Sequence, residues 1–153
     1  MIYSAALLLG IIAGLRALMA PTIVSWAALL GVLNLSESWF AFLGYRWAPW
    51  LLSILAIGEL VTDQLPSTPS RKVAVQFGTR IVMGGLSGAV VGIPSNSWAG
   101  GIILGIVGSI IGTLGGAAVR SRMARFFGRD RPAALIEDGI ALLGAFISVA
   151  LLA

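Results

Sequence analysis

Six charged side chains lie inside or at the ends of otherwise apolar stretches, where ionisable groups are costly. They are Arg16, Glu59, Asp63, Arg80, Glu137 and Asp138. An ionisable residue within a bilayer costs at least about 2.5 to 3.5 kcal/mol unless it is paired, and such residues commonly mark ion paths, substrate paths and proton relays. We interpret these six residues as candidates for a substrate or ion path. The alternative is a structural network of ion pairs.

The spacing of these residues predicts which of them meet. Glu59 and Asp63 are four residues apart and therefore share one face of a helix. Arg80 lies one helical step before Gly84, so its side chain points at a neighbouring helix rather than at lipid. A buried guanidinium requires a counter-charge. The sequence therefore predicts that Arg80 pairs with Glu59, Asp63 or Glu137.

The composition indicates where the helices that carry these residues lie. Of the 153 residues, 58% are hydrophobic and 10% charged, and the mean hydropathy is +0.99. Soluble domains carry about 25% charged residues, so a water-soluble fold is excluded. The sequence predicts an all-α fold, a single transmembrane domain over residues 1–153, built as a polytopic helix bundle of about five spans.

Five apolar segments define these predicted spans. They are Ile2–Leu33, Pro49–Val61, Val73–Ile93, Trp98–Val119 and Ala133–Ala153. The last three are close to the ~20 residues that cross a bilayer as a helix. The first, as one helix, would be roughly 48 Å long, so it is expected to be kinked near Pro21 or unwound between Gly14 and Pro21.

The positions of the basic residues predict the orientation. Seven of the ten Lys and Arg residues lie in the connections 62–72 and 120–132. Such connections stay in the cytoplasm. With five spans, the N-terminus is then cytoplasmic and the C-terminus external.

Glycines recur at helical spacing on the third and fourth segments. They are Gly84, Gly88, Gly92, Gly101, Gly105, Gly108 and Gly112. Helices in a bilayer associate through close backbone approach, which small residues on one face permit. We therefore expect these two segments to pack tightly together. The alternative is that the glycines expose backbone to a permeating species.

Three arginines form a basic face after the fourth segment. Arg122, Arg125 and Arg129 follow each other at spacings of three and four residues. A segment of this kind lies along the cytoplasmic leaflet and contacts anionic lipid headgroups. Because the patch is short and adjoins membrane helices, a nucleic-acid partner is not expected.

Two short stretches of the chain match each other. Gly14 to Met19 and Gly78 to Met83 both read Gly-x-Arg-x-x-Met, and carboxylates follow each copy. Internal repeats build many transporter folds, with the site at the repeat interface. An internal repeat is therefore one interpretation, and coincidence is the other.

The missing residue types limit the chemistry. The chain has no Cys and no His. Thiol nucleophiles, Cys/His zinc sites and haem histidines are therefore excluded, and we expect no metal and no cofactor. No nucleophile and base pair is recognisable either, so an enzyme is the least favoured class.

Three stretches carry a family resemblance. At Gly14–Pro21 (GLRALMAP), Glu59–Pro66 (ELVTDQLP) and Arg131–Asp138 (RPAALIED) the chain resembles a bacterial membrane family, domain of unknown function forty-one twenty-six. The resemblance implies a multi-pass protein of the bacterial inner membrane. It implies no activity.

Two functions fit these observations. The favoured one is a small transporter or channel for a small solute or ion, whose path is lined by the six charged residues among glycine-packed helices. The alternative is a structural or accessory subunit that transports nothing, whose partner is a second copy of the chain or another membrane protein. A water-accessible cavity reaching the charges favours the first, and a dry, fully paired network favours the second.

Overall fold

The computed structural model describes residues 1–63 and 73–152, and every regular element in that part of the chain is a helix. The six α-helices are α1 (Ile2–Leu15), α2 (Met19–Leu29), α3 (Ala48–Thr62), α4 (Ala74–Gly92), α5 (Trp98–Phe127) and α6 (Asp130–Leu152). Two short 3-10 helices, Ala41–Gly44 and Ile93–Ser95, lie in the connections. The predicted all-α fold is confirmed for the described residues.

Three helical segments are long and apolar enough to cross a membrane. They are Ala74–Ser95, Trp98–Phe127 and Pro132–Leu152. These correspond to the third, fourth and fifth predicted segments and indicate a membrane protein. The helices α1, α2 and α3 have 14, 11 and 15 residues, which is fewer than the ~20 that a span requires. The prediction of five spans is therefore not confirmed.

The first apolar segment is interrupted rather than kinked. The helix α1 ends at Leu15, Arg16 has an extended backbone (φ −142°, ψ 109°), and α2 begins at Met19. Pro21 lies in the first turn of α2, where a missing N–H costs no helical hydrogen bond. The predicted kink at Pro21 is therefore wrong. The interruption is a full break, and it falls inside the stretch Gly14 to Pro21 where an unwound step was the other expectation.

The helices α1 and α2 form a hairpin that returns to the end of the bundle where it began. Met1 at the start of α1 lines the same cavity as Val32 and Leu33, which follow α2. Leu152 at the end of α6 lines this cavity too. We call this end of the bundle the terminal end. The sequence predicted the termini on opposite sides of the membrane, whereas Met1 and Leu152 lie at one end of the bundle because the first segment turns back at Arg16. The orientation in the membrane stays a prediction.

The opposite end of the bundle carries the connection between α5 and α6, and we call it the basic end. Arg122, Arg125 and Arg129 are all exposed there. Arg71 and Lys72, which also entered the orientation argument, lie outside the described residues. The described arginines on which the predicted orientation depends, Arg122, Arg125 and Arg129, therefore lie together at one end of the bundle.

Close backbone approach joins α4 to α5. A Cβ atom built at Gly84 would lie 2.7 Å from the carbonyl oxygen of Gly105. A Cβ atom at Gly88 would overlap the carbonyl oxygen of Gly101, and one at Gly101 would overlap that of Gly88. Only glycine permits this approach, so the predicted packing of the third and fourth segments is confirmed.

The remaining glycines of α5 face α1 instead of α4. Gly108 lies against the carbonyl oxygen of Leu7, and Gly112 lies against that of Ile11. From the other side, Gly10 lies against the carbonyl oxygen of Gly105. The short helix α1 is thus the centre of the bundle, in contact with α4, α5 and α6.

The two Gly-x-Arg-x-x-Met copies do not share a local structure. Arg16 lies in the extended break, whereas Arg80 lies inside the continuous helix α4. The predicted internal repeat is therefore not confirmed, although both arginines reach the same site.

Candidate functional site

The site is centred on the break between α1 and α2. The 14 residues of α1 place this break roughly 21 Å along the helix from the terminal end, inside the bundle. Arg16 is 0% exposed and Ala17 is 5% exposed. The last carbonyls of α1 and the first amides of α2 have no helical partner, and at this depth they must be satisfied by protein.

The open carbonyls of α1 accept hydrogen bonds from α4 and α5. Nη1 of Arg80 donates to the carbonyl oxygens of Gly14 (3.0 Å) and Leu15 (2.5 Å). The hydroxyl of Thr113 also donates to Gly14, at 3.2 Å. A guanidinium at a helix C-terminus faces the negative end of the helix dipole, so its charge is favourable there.

The open amides of α2 donate to a single carboxylate from α3. The N–H of Ala17 lies 2.7 Å from Oε1 of Glu59, and the N–H of Leu18 lies 2.8 Å from Oε2. Both oxygens of Glu59 thus cap the positive end of the α2 dipole. Each end of the break is therefore capped by a side chain of the matching charge from another helix.

The side chain of Arg16 bridges two carboxylates. Nε donates to Oδ1 of Asp138 at 2.8 Å, and Nη2 lies 2.5 Å from the same oxygen. Nη1 donates to Oδ2 of Asp63. Because Asp63 follows α3 and Asp138 belongs to α6, this one guanidinium ties the break to two helices.

Arg80 also contacts the carboxylates of α3 at longer range. Its Nη2 lies 3.6 Å from Oδ2 of Asp63 and 3.8 Å from Oε1 of Glu59. The predicted pairing of Arg80 with Glu59 or Asp63 is confirmed. Since Asp63 also pairs with Arg16, one carboxylate lies between the two buried guanidinium groups.

A third arginine, which the sequence placed in a surface connection, extends the network. Nε and Nη2 of Arg120 donate to Asp130 at 3.0 and 2.5 Å, and Nη1 lies 3.5 Å from Oε2 of Glu137. Nη2 also reaches the carbonyl oxygen of Asp63, at 3.4 Å. Arg120 therefore connects the carboxylates of α6 to the residues at the break.

The network gathers nearly all the acidic residues of the chain. Of six Asp and Glu residues, only Glu37 lies elsewhere, exposed in the connection after α2. The structure brings together all six side chains that the sequence singled out, and it adds Arg120, Asp130 and Thr113. Arg120 ends an apolar run, and Asp130 follows it by ten residues on the other side of the connection between α5 and α6. This spacing could have predicted the pairing of the two residues. Nothing in the sequence indicated the amides of Ala17 and Leu18.

Two apolar grooves flank the network. The first has a volume of about 350 Å³ and lies between α2, α3 and α6, where Met19, Leu60 and Leu142 contribute to its wall. The second has a volume of about 250 Å³, lies between α1, α5 and α6, and includes Arg120 and Glu137 in its wall. Arg16 and Arg80 themselves are 0% and 1% exposed. The centre of the network is therefore dry in this conformation.

Comparison of the chain with protein-family models, with curated proteins and with solved structures finds no match. The family resemblance of Gly14–Pro21 and of the other two stretches stays a prediction.

Proposed function

We propose that the protein is a small membrane transporter or channel whose path runs through the break between α1 and α2. The observation that supports this most is the capping of the break by Glu59 and Arg80, side chains that belong to other helices. In transporters the open backbone groups of broken helices hold ions and substrates. Here Glu59 and Arg80 occupy such groups, and a ligand of like charge could replace them. Stability alone gives little reason to bury so many charges.

The helix α3 is the part that we expect to move. It packs on α2 and on the 3-10 helix Ala41–Gly44, while the 350 Å³ groove lies between it and α6. An outward movement of α3 would carry Glu59 and Asp63 away from the break. The amides of α2 and the guanidinium of Arg16 would then be free to bind a charged solute or an ion. The dry network corresponds to the closed state of such a path.

Flux into liposomes tests the proposal. Purified protein is reconstituted, and the uptake of protons, small inorganic ions and charged organic solutes is compared with that of empty liposomes. Glu59→Gln removes the charge that holds the break closed, so we expect it to increase the flux of the transported species. The matched control Glu37→Gln removes a carboxylate from the exposed connection and should leave the flux unchanged. Uptake equal to that of empty liposomes for every species would contradict the proposal.

A second candidate is a structural or accessory subunit that transports nothing. The dry, paired state of Arg16 and Arg80 favours it. Under this alternative, variants of the network change the stability or the recovery of a partner protein and leave the liposomes impermeable. The same reconstitution therefore separates the two candidates.

We also propose that the protein belongs to the resembled bacterial family and lies in the inner membrane, with the basic end in the cytoplasm. The exposed arginines of the basic end support this orientation. Both termini are then external, because they share the terminal end.

A further inference from the structure

The groove between α1, α5 and α6 has features that helix packing does not require. Its wall includes Gly115, and a Cβ atom there would meet nothing within 4 Å. Glycine weakens a helix relative to alanine, and most glycines of α5 compensate by admitting a neighbouring backbone. Among the described residues Gly115 meets no neighbour, so the wall of the groove is open at this position.

This groove opens toward the bilayer. Val119 and Ile140, which line it on α5 and α6, are 49% and 52% exposed. The lining residues on α5 run from Ile111 to Met123, which corresponds to roughly 18 Å along the helix. That length is close to one leaflet of a ~30 Å hydrocarbon core.

Basic residues lie at one end of the groove. Arg120 is part of its wall, next to the ion pairs with Asp130 and Glu137. Arg122 follows Gly115 and Val119 at spacings of seven and three residues, so it lies on the same face of α5 and nearer the basic end. Its side chain is exposed. An apolar groove one leaflet long therefore ends beside an exposed guanidinium.

We propose that this groove is a binding site for one anionic phospholipid, with an acyl chain along Gly115 and the phosphate headgroup at Arg122. The apolar wall suits a hydrocarbon chain, and the exposed guanidinium suits a phosphate. The 350 Å³ groove beside α3 provides a contrast, since none of the described residues that line it is charged. Charge complementarity therefore selects the α1–α5–α6 groove for an anionic lipid.

Native mass spectrometry of the full-length protein tests this site. The protein is mixed in detergent with equal amounts of phosphatidylglycerol and phosphatidylcholine. The detergent is then removed in the gas phase, and the lipids that stay bound to the protein are counted. We expect one phosphatidylglycerol per chain to be retained in preference to phosphatidylcholine, by about fivefold for one basic contact near the surface. Equal retention of the two lipids would overturn the proposal.

Two variants and two controls locate the site. Gly115→Leu places a side chain in the groove from a position where the Cβ atom meets no described atom within 4 Å, and Arg122→Gln removes the headgroup contact, so each should abolish the preference. Gly139→Leu adds the same side chain where a Cβ atom also meets nothing within 4 Å, and Arg46→Gln removes an exposed charge after α2. Both controls should bind like the parent. If Gly115→Leu keeps the preference for phosphatidylglycerol, the acyl chain of the lipid does not lie in this groove.

A headgroup that lacks acyl chains distinguishes a lipid-binding site from a site that binds phosphate alone. Glycerol phosphate added at the same concentration should not displace the retained phosphatidylglycerol, because it cannot occupy the apolar wall. Displacement by glycerol phosphate would show a simple phosphate site at Arg122 and overturn the assignment of the groove.

Discussion

At the scale of single residues, the site depends on side chains that replace missing backbone partners. Arg80 and Glu59 act as caps for helices to which they do not belong. Their charges match the helix dipoles at the break, so the same contacts satisfy hydrogen bonding and electrostatics. Removing either side chain therefore weakens both the hydrogen bonding and the balance of charge at the break.

Arg80→Ala should destabilise the protein by about 3 to 5 kcal/mol, the usual cost of removing one partner from a buried charge pair. The carbonyl of Leu15 loses its guanidinium donor, the carbonyl of Gly14 keeps the hydroxyl of Thr113, and Asp63 loses a nearby cation. Reversible unfolding in mixed micelles measures the change.

The double variant Arg80→Ala with Asp63→Asn tests whether the charges are coupled. The combined loss should be smaller than the sum of the two single losses by about 1 kcal/mol or more, because Asp63→Asn removes the charge that faces Arg80. Strictly additive losses would show that Arg80 stabilises the break only through its backbone contacts.

Arg16→Lys should also weaken the protein although the charge is kept. The guanidinium reaches Asp63 and Asp138 with different nitrogen atoms, and an ammonium cannot reproduce this fork. We expect a loss of about 2 kcal/mol, equivalent to one hydrogen bond to a charged group. Arg125→Lys, at an exposed position, is the matched control and should unfold like the parent. Equal stability of both variants would argue against a bridging role for Arg16.

At the scale of the helices, the bundle is held by glycine faces on two sides of α5. One face, with Gly101 and Gly105, meets α4, and the other, with Gly108 and Gly112, meets α1. In a bilayer this close packing replaces the hydrophobic effect as the source of helix association. The short helix α1 is held mainly by its contacts with α4, α5 and α6, since it is shorter than a span.

Gly108→Leu should therefore separate α1 from α5. The added side chain would collide with the backbone at Leu7, which cannot move without displacing the break. We expect a loss of about 3 kcal/mol or more from this overpacking. Gly139→Leu, placed in open space, should change stability by no more than about 0.5 kcal/mol. If the two variants melt alike in detergent, α1 does not pack on α5 as described.

The sequence predicted the continuous helices better than the interrupted one. The length of the apolar segments was enough to predict α4, α5 and α6. The spacing of the glycines predicted the close contact between α4 and α5. The interruption between Gly14 and Pro21 was predicted as a kink or an unwound step, and only the unwound step is confirmed, because the break at Arg16 depends not on Pro21 but on caps from Glu59 and Arg80. Those residues are far away in the chain, and one sequence carries no record of their proximity. For the same reason the pairing of Arg80 was predictable only as a choice among carboxylates.

At the scale of the whole molecule, the hairpin changes the topology. With α1 and α2 turning back at the break, Met1 and Leu152 lie at the terminal end, and the exposed arginines lie at the other. The basic residues then predict two external termini. An even number of crossings would place both termini on one side, and the five spans predicted from the sequence stay unconfirmed.

Cysteine labelling can test this topology directly, because the chain contains no Cys. Glu37→Cys, in the exposed connection after α2, should react with a membrane-impermeant maleimide in intact cells. Arg129→Cys, exposed at the basic end, should react only after the membrane is opened. An epitope fused before Met1 should be accessible from the same side as position 37. An epitope on the opposite side would show that the first segment crosses the membrane once.

The capped break also constrains how the protein is made. The ribosome completes α1 and α2 first, yet their open peptide groups are satisfied by Glu59 and Arg80, which are synthesised later. In hydrocarbon each such group would cost several kcal/mol. We therefore expect the nascent hairpin to settle in lipid only after α4 has been delivered, so that the first helices synthesised are among the last to be assembled.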